Sequence, residues 1–372
     1  MVVEVAWVNG LAAIRSLGRK GLRVLAVDNR PFALGLRSRY AEARPAPDPL
    51  DDEDAFVAVL RAIADETDDV LPVFPTHDEH LNAIARHADV LGGRYRFPFP
   101  SWDVLAKIQS KRHQLETADS VGVPIPRTFY PQSADEARAA GEEVGFPLIV
   151  KPSANVAFRR SHKRQLFRCE TPAELDRAYE LSAPHEPMVQ ELIPSGPEEM
   201  WTLGSYLDRD GRALGLFSGH KLSQTRGYMG SARAGEALWV DEVVEQGLAL
   251  LRALGFHGIS QVELMRDPRD GKYKLLEVNP RLWQWHSLAA ACGVDLPWIA
   301  YRDLVGDPLP PARMHGDGKR WAITLMAGSG HAIERPPYVD AVFARDDPKP
   351  ALVQLARHTL RGVRTMTGAG RG

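Results

Sequence analysis

Residues 258–281, GISQVELMRDPRDGKYKLLEVNPR, constrain this chain more than any other stretch. Gly258–Met265 carries Ile, Val and Leu, and Lys272–Val278 alternates and runs toward Pro280. Between them lies Asp267-Pro268-Arg269-Asp270-Gly271, with turn formers at each key place. The pattern predicts two strands joined by a turn. Folding about Asp270 sets Glu263 opposite Glu277. Side chains alternate along a strand, so Gln261, Glu263, Glu277 and Asn279 share one face. Val262, Leu264, Leu276 and Val278 are expected on the other, against a core.

Two carboxylates directly opposite each other repel, and a sheet gains nothing from that pair alone. A divalent cation between them reverses the sign. A site with few hard oxygen ligands suits Mg²⁺ shared with substrate phosphates. The competing reading is a solvated hairpin face that happens to carry two glutamates, and a short E-x-N pattern does not decide between them.

At 372 residues the chain has room for two or three domains and a large core. The formal net charge of -2, with both signs spread along the chain, gives no basic footprint for nucleic acid. Cys169 and Cys292 lie far apart without CxxC or Cys/His spacing, which argues against a zinc site or a disulfide framework. No apolar run approaches a membrane span. The opening MVVEVAWVNG carries Glu4 inside its apolar run and lacks a basic flank, so it reads as a strand. A cytoplasmic location is the expectation, with neither nucleic acid nor membrane as partner.

Residues 1–100 read as an α/β unit. Val2–Val8 is expected as a strand, Asn9-Gly10 as a turn, Leu11–Lys20 as a helix and Leu22–Val27 as the next strand. Strand, helix and strand with a short crossover imply parallel pairing. Val70–Phe74 and Tyr95–Phe99 are later strands, and Asp78–Leu91 a helix. Asn9-Gly10 with Asp28 downstream echoes a dinucleotide site, but Gly10 stands alone where several glycines are needed. Thr76-His77-Asp78-Glu79 ends a strand, where open α/β sheets bind ligands, and equally reads as a helix cap. Pro98 and Pro100 mark a domain boundary.

Helices are expected from Ser101 to Ile108 and from Lys111 to Ser120, followed by extended Val123–Thr128. Ser133 with Glu136 and Thr171 with Glu174 are capping boxes that open two further helices. Leu148-Ile149-Val150-Lys151-Pro152 is a strand that puts Lys151 at a sheet edge, as a ligand or as a snorkelling surface lysine. The basic segment Ser153–Lys163 reads as a loop able to close over phosphates or as a solvated turn, before a strand at Gln165–Cys169. Met188–Ile193, Trp201–Leu207 and Arg212–Ser218 are strands, and Gly219–Ser231 reads as a flexible, phosphate-facing segment. Val240–Leu254 is an amphipathic helix. Trp283, Trp285 and His286 are either core or pocket. Beyond residue 306, a strand at Trp321–Met326 and a helix at Pro350–Arg361 are expected.

The order of parts resembles the ATP-grasp superfamily. The parts are a lysine helix followed by Gly-Val-Pro-x-Pro-x-Thr, an Ile-Val-Lys-Pro strand, a Gln-Glu-x-Ile-Pro-x-Gly hinge, and Gln-Val-Glu with Leu-Glu-Val-Asn-Pro-Arg. Within the superfamily the chain is most similar to carboxylate–amine ligases related to D-aspartate ligase. The resemblance spans roughly residues 1–310. It implies an α/β (α+β) fold: a Rossmann-like pre-ATP-grasp domain at 1–100, then a two-lobed ATP-grasp fold with a central lid at 101–189 and a C-terminal lobe at 190–310. A C-terminal extension would follow at 311–372.

The resemblance also implies roles. Lys111 and Lys151 would hold ATP phosphates, and Gln190, Glu191, Leu192 and Ile193 would form the hinge that meets adenine through backbone groups. Glu198 or Glu199 would face the ribose. Glu263, Glu277 and Asn279 would bind Mg²⁺, with Mn²⁺ able to replace it. Arg281 would steady an acyl phosphate or substrate carboxylate, with Lys221 and Arg226 on a loop near the transferred phosphate. Ser153–Arg160 lacks the glycines common in the family's loop, so Arg159 or Lys163 would act there by charge. The implied activity is ATP-dependent, ADP-forming ligation of a small-molecule carboxylate to an amine, of an amino acid or small peptide, with a homodimer compatible. The rival readings are a nucleotide-binding module without turnover and an NAD-dependent oxidoreductase. The absence of G-x-S-x-G argues against an α/β-hydrolase.

Overall fold

The computed structural model describes residues 1–153, 166–225, 230–315, 317–324 and 338–356. The described residues form a mixed α/β fold built on three principal sheets and one two-stranded pair. The first sheet is parallel, in the order Ala41–Arg44, Val24–Val27, Val2–Val3, Phe74–Pro75. The first strand is shorter than expected. Glu4 takes a left-handed backbone (φ 64°), which ends the extended run. The helix then begins at Val8 and takes in Asn9 and Gly10. Gly10 is there for packing: a Cβ on it would stand 2.6 Å from the Cα of Val5. The expected strand at Val70–Phe74 is two short ones, Leu71–Pro72 and Phe74–Pro75, that join different sheets.

The second sheet is antiparallel, in the order Thr128–Phe129, Pro187–Glu191, Leu148–Pro152, Phe167–Cys169. Helices Ala134–Val144 and Pro172–Ser182 cover one face, with Ser133 and Thr171 as side-chain N-caps. In each, the glutamate at the third helical position accepts from the backbone N–H just before the cap: Glu136 from Gln132, and Glu174 from Glu170. Lys151 is not on an edge strand. It lies in the sheet opposite Met188 and is 2% exposed, which excludes a snorkelling surface lysine.

The third sheet holds eight strands and begins with the hairpin Tyr273–Asn279 and Gly258–Arg266, followed by Met200–Leu207, Ala213–Gln224 and Ala232–Ala237. Two expectations change here. First, Gly219–Ser231 is not a flexible segment throughout. The strand that starts at Ala213 runs on to Gln224, and Ala232–Ala237 pairs back along it, because a second partner strand satisfies its backbone. Lys221 therefore sits on a strand rather than on a loop. Second, the register slips between Glu263 and Leu264, so Leu264 faces Leu275. This bulge places Leu275 in the core with Val262, Leu264 and Val278. Leu276 turns to the opposite face, beside Ile193, Met200 and Met265.

Helices Asp241–Ala253 and Lys111–Ser120 pack on the core face of the hairpin. The opposite side of the third sheet meets the helices Val8–Gly18, His286–Ala291 and Leu296–Leu304. Trp283, Trp285 and His286 are buried in that core. Gly204 lets the Trp283 indole lie on the sheet, since a Cβ there would stand 2.0 Å from its ring. The strand Arg320–Ala322 replaces the longer Trp321–Met326, and Met326 lies outside the described residues. Residues 349–356 are helical, and the rest of the helix expected to Arg361 lies outside the described residues.

Candidate active site

The site lies where the second and third sheets face each other, and four segments build it. The hairpin supplies acids. Glu263 is directly opposite Glu277, and Gln261 is opposite Asn279. Lys221 reaches from the next strand but one, across Met200, donating to its Sδ at 2.7 Å, and ends 2.9 Å from Glu263 Oε1. Lys111 projects from the first turn of its helix, whose N-cap is Ser110, to 3.1 Å from Glu277 Oε2. From the second sheet, Lys151 donates to Gln190 Oε1 at 3.0 Å, and Gln190 in turn donates to Thr128 Oγ1 at 2.8 Å.

Lys111, Lys151, Leu166, Met200, Lys221, Glu263 and Glu277 line one pocket that opens to solvent. Its electrostatics follow from burial and crowding. Burial alone would raise Glu277, but the nearby ammonium groups of Lys111 and Lys151 hold it well below the usual carboxylate range. Glu263 is pushed up by burial and by the Glu277 charge, against the pull of Lys221. Burial, aided by Lys111, lowers Lys151 to about 7.

Asn279 donates to Gln261 Oε1 and Glu277 Oε1, each at 3.3 Å, and its own Oδ1 lies 3.4 Å from Arg281. Arg281 grips Asp78 at two points, 2.7 and 3.0 Å. The Thr76–Glu79 stretch is thus tied to the hairpin. His77 is the N-cap of the helix Asp78–Arg86 and makes no side-chain cap, while the Asp78 side chain points to Arg281. Neither Thr76 nor Asp78 is the N-cap.

Other expected residues fall at the margin. Glu191 is buried, and its carboxylate holds Lys274 and Arg269 of the hairpin turn, at 3.1 and 2.8 Å. Leu192 is half-buried and Ile193 buried. Glu199 is 3.9 Å from Arg266, and the Glu198 carbonyl is 2.8 Å from His220 Nδ1. Arg226, Arg159 and Lys163 lie outside the described residues. Sequence reasoning missed Met200 as a wall of the site. Met200 begins its strand shortly after the expected hinge, which was a usable signal.

Among the described residues no cluster of three or more His, Cys, Asp or Glu side chains stands ready for a metal. Two carboxyls close enough to share a hydrogen bond, with two amides alongside, nonetheless suit a hard cation that takes its remaining oxygens from phosphates and water.

Residues 238–311, which contain the hairpin, match the family model of the carbamoyl-phosphate synthase L chain, ATP binding domain. D-aspartate ligase of Enterococcus faecium is 24% identical over 240 residues, covering 61% of this chain and 57% of that protein. The chain thus spans little more than half the length of that relative. Biotin carboxylase from Campylobacter jejuni superposes with a TM-score of 0.67 at 18% identity, over 83% of this chain and 71% of that one. L-amino acid ligase from Bacillus licheniformis gives 0.61 at 17% identity, over 83% and 74%. The ordered motifs, the similarity to D-aspartate ligase and the shared fold together mark this chain as similar to the ATP-grasp ligases.

Proposed function

We propose that the protein is an ATP-dependent, ADP-forming carboxylate–amine ligase. The observation that carries this reading is the convergence of Lys111, Lys151 and Lys221 on the opposed pair Glu263 and Glu277 in one pocket. Phosphoryl transfer asks a protein for position and charge neutralisation more than for covalent chemistry, and this site supplies both. A substrate carboxylate oxygen attacks the γ-phosphorus of ATP, the bond to the β-phosphate oxygen breaks, and ADP leaves. An amine lone pair then attacks the acyl carbon of the acyl phosphate. Phosphate departs with the electrons of its C–O bond, and the amine proton passes to solvent.

Lys111, Lys151 and Lys221 hold phosphate oxygens in this reading. Glu263, Glu277 and Asn279 would hold Mg²⁺, which neutralises phosphate charge when bound. Ile193, Met200 and Leu276 form an apolar wall beside the hinge 190–193, where a flat base would fit, with Glu198 or Glu199 toward the ribose. Arg281 steadies the substrate carboxylate, and Arg226 joins it near the transferred phosphate. Residues 1–100 serve as a Rossmann-like pre-ATP-grasp domain, 101–189 as the lid, 190–310 as the second lobe and 311–372 as an extension. Similarity to D-aspartate ligase and L-amino acid ligase favours an amino acid or small peptide as substrate. The reading includes a cytoplasmic location and admits a homodimer, which light scattering would detect.

The dinucleotide alternative loses support. Gly10 is used in helix packing, and the Asp28 carboxylate is taken by Val5 N–H and Arg30. The test is phosphate and ADP release across a panel of acids paired with amines. Release that requires both an acid and an amine is expected; nucleotide binding without such release would leave a binding module instead.

A further inference from the structure

We propose that Lys221 and Lys111 are resident counter-ions of Glu263 and Glu277, so that a divalent cation and a nucleotide triphosphate each enter this site well only in the other's company. The inference rests on the preceding reading that the pocket takes nucleotide.

Both pairs are short, at 2.9 and 3.1 Å; the Lys221–Glu263 pair is buried, at 5% and 7% exposed, and the Lys111–Glu277 pair is half-buried. Each pair joins different elements. Lys221 crosses the intervening strand over Met200 to reach Glu263, and Lys111 comes from a helix to reach Glu277. The same four side chains line the one pocket. The groups suited to metal and the groups suited to phosphate therefore already neutralise each other.

A bare dication arriving between the glutamates meets ammonium groups a few ångströms away and must displace them into a pocket whose described lining offers no other carboxylate. A bare triphosphate meets the reverse: cations already engaged, and two carboxylates close by. When both arrive, partners exchange. The carboxylates turn to the metal and the ammonium groups to phosphate oxygens, and no buried charge is left unpaired. Linkage makes the effect reciprocal, so the factor by which metal tightens nucleotide equals the factor by which nucleotide tightens metal.

The consequence is opposite in sign to the usual effect of removing a ligand. Glu263→Gln and Glu277→Gln each remove one carboxylate charge that faces a lysine, and each should bind ATP in excess chelator at least 10-fold more tightly than wild type. Lys221→Met and Lys111→Met free a carboxylate, and each should bind Mn²⁺ alone, followed by electron paramagnetic resonance, at least 10-fold more tightly. Calorimetry of chelated ATP decides: unchanged or weaker binding by the glutamate variants overturns the inference. If a glutamate variant does not fold, the Mn²⁺ measurement on the lysine variants decides in the same way. Wild type that fails to bind ATP even with Mg²⁺ removes the nucleotide reading itself, whereas wild type that binds it while the variants show no gain removes only the counter-ion exchange.

Discussion

Arg281 and Asp78, 203 positions apart in sequence, meet in a two-point ion pair at 2.7 and 3.0 Å. The pair joins the end of the hairpin to the helix that follows the first sheet. Burial opposes the Arg281 charge, and Asp78 more than offsets this. The fork is thereby held beside Asn279.

Arg281→Lys keeps the charge but loses the planar fork, so turnover should fall about 100-fold, the loss of one strong charge-assisted contact. Asp78→Asn should raise KM for the carboxylate about 10-fold and leave KM for ATP nearly unchanged, since the pair is partly exposed and sits at the low end of that range. Steady-state phosphate release with each substrate varied separates the two. A rise confined to KM for ATP would sink the assignment of Arg281 to the acid.

Glu277→Gln should abolish Mg²⁺-dependent turnover while the fold survives. Glutamine preserves the shape and can still meet Lys111 through its carbonyl, but it removes the charge that a hard cation needs. Circular dichroism and ADP release on the same sample test this; normal ADP release would refute the metal assignment.

Lys151 carries a pH signature. Burial lowers it to about 7 from an ordinary 10.5, so between those values the folded protein binds fewer protons than the unfolded chain. The stability penalty is present in full below pH 7 and lifts as pH rises toward 10.5. Lys151→Met should therefore stabilise the protein more at pH 6 than at pH 9, read from urea midpoints. Phosphates favour the ammonium form, so nucleotide affinity should decline above pH 7 with proton uptake on binding. A Lys151→Met variant that kept the same slope would remove Lys151 as its source.

Glu191 is an anchor of the hairpin turn through its side chain. Together with Asp267 it compensates Lys274 and Arg269. Glu191→Gln should cost about 2–3 kcal/mol of stability with nucleotide affinity within about two-fold of wild type, given backbone contacts to the base and one lost charged hydrogen bond in the anchor. A melt and a nucleotide titration suffice; a large loss of affinity at unchanged stability would put the side chain in the binding site.

Asp347 ties the C-terminal region to the first domain. It accepts from Arg15 at 2.9 Å, from Ser38 Oγ at 2.8 Å and from Arg39 N–H at 2.9 Å, and it is 1% exposed. Asp347→Ala leaves the buried Arg15 uncompensated and should cost about 3–5 kcal/mol. Denaturant unfolding gives the cost, and limited proteolysis should show earlier cleavage after residue 311. Unchanged unfolding would mean the contact contributes nothing.

Local chemistry was legible from residue order. Turn residues between two alternating runs announced the hairpin, and Glu263 does face Glu277, although the turn alone sets Leu264 opposite Leu275 and the bulge beyond it brings Glu277 opposite Glu263. Ser133 and Thr171 announced their helices, and Lys111–Ser120 and Leu148–Pro152 have the expected bounds. These features depend on neighbours a few residues apart, whose chemistry is written contiguously.

Tertiary structure alone decided the rest. The bulge that turns Leu276 toward Met200, the strand that carries Lys221 to Glu263, and the reach of Arg281 to Asp78 join segments that share no local period. So does the burial that separates Lys151 from an ordinary surface lysine. Which distant groups become neighbours, and how far water is kept from them, is set by the packing of whole sheets, and the charge balance of the pocket follows from that packing.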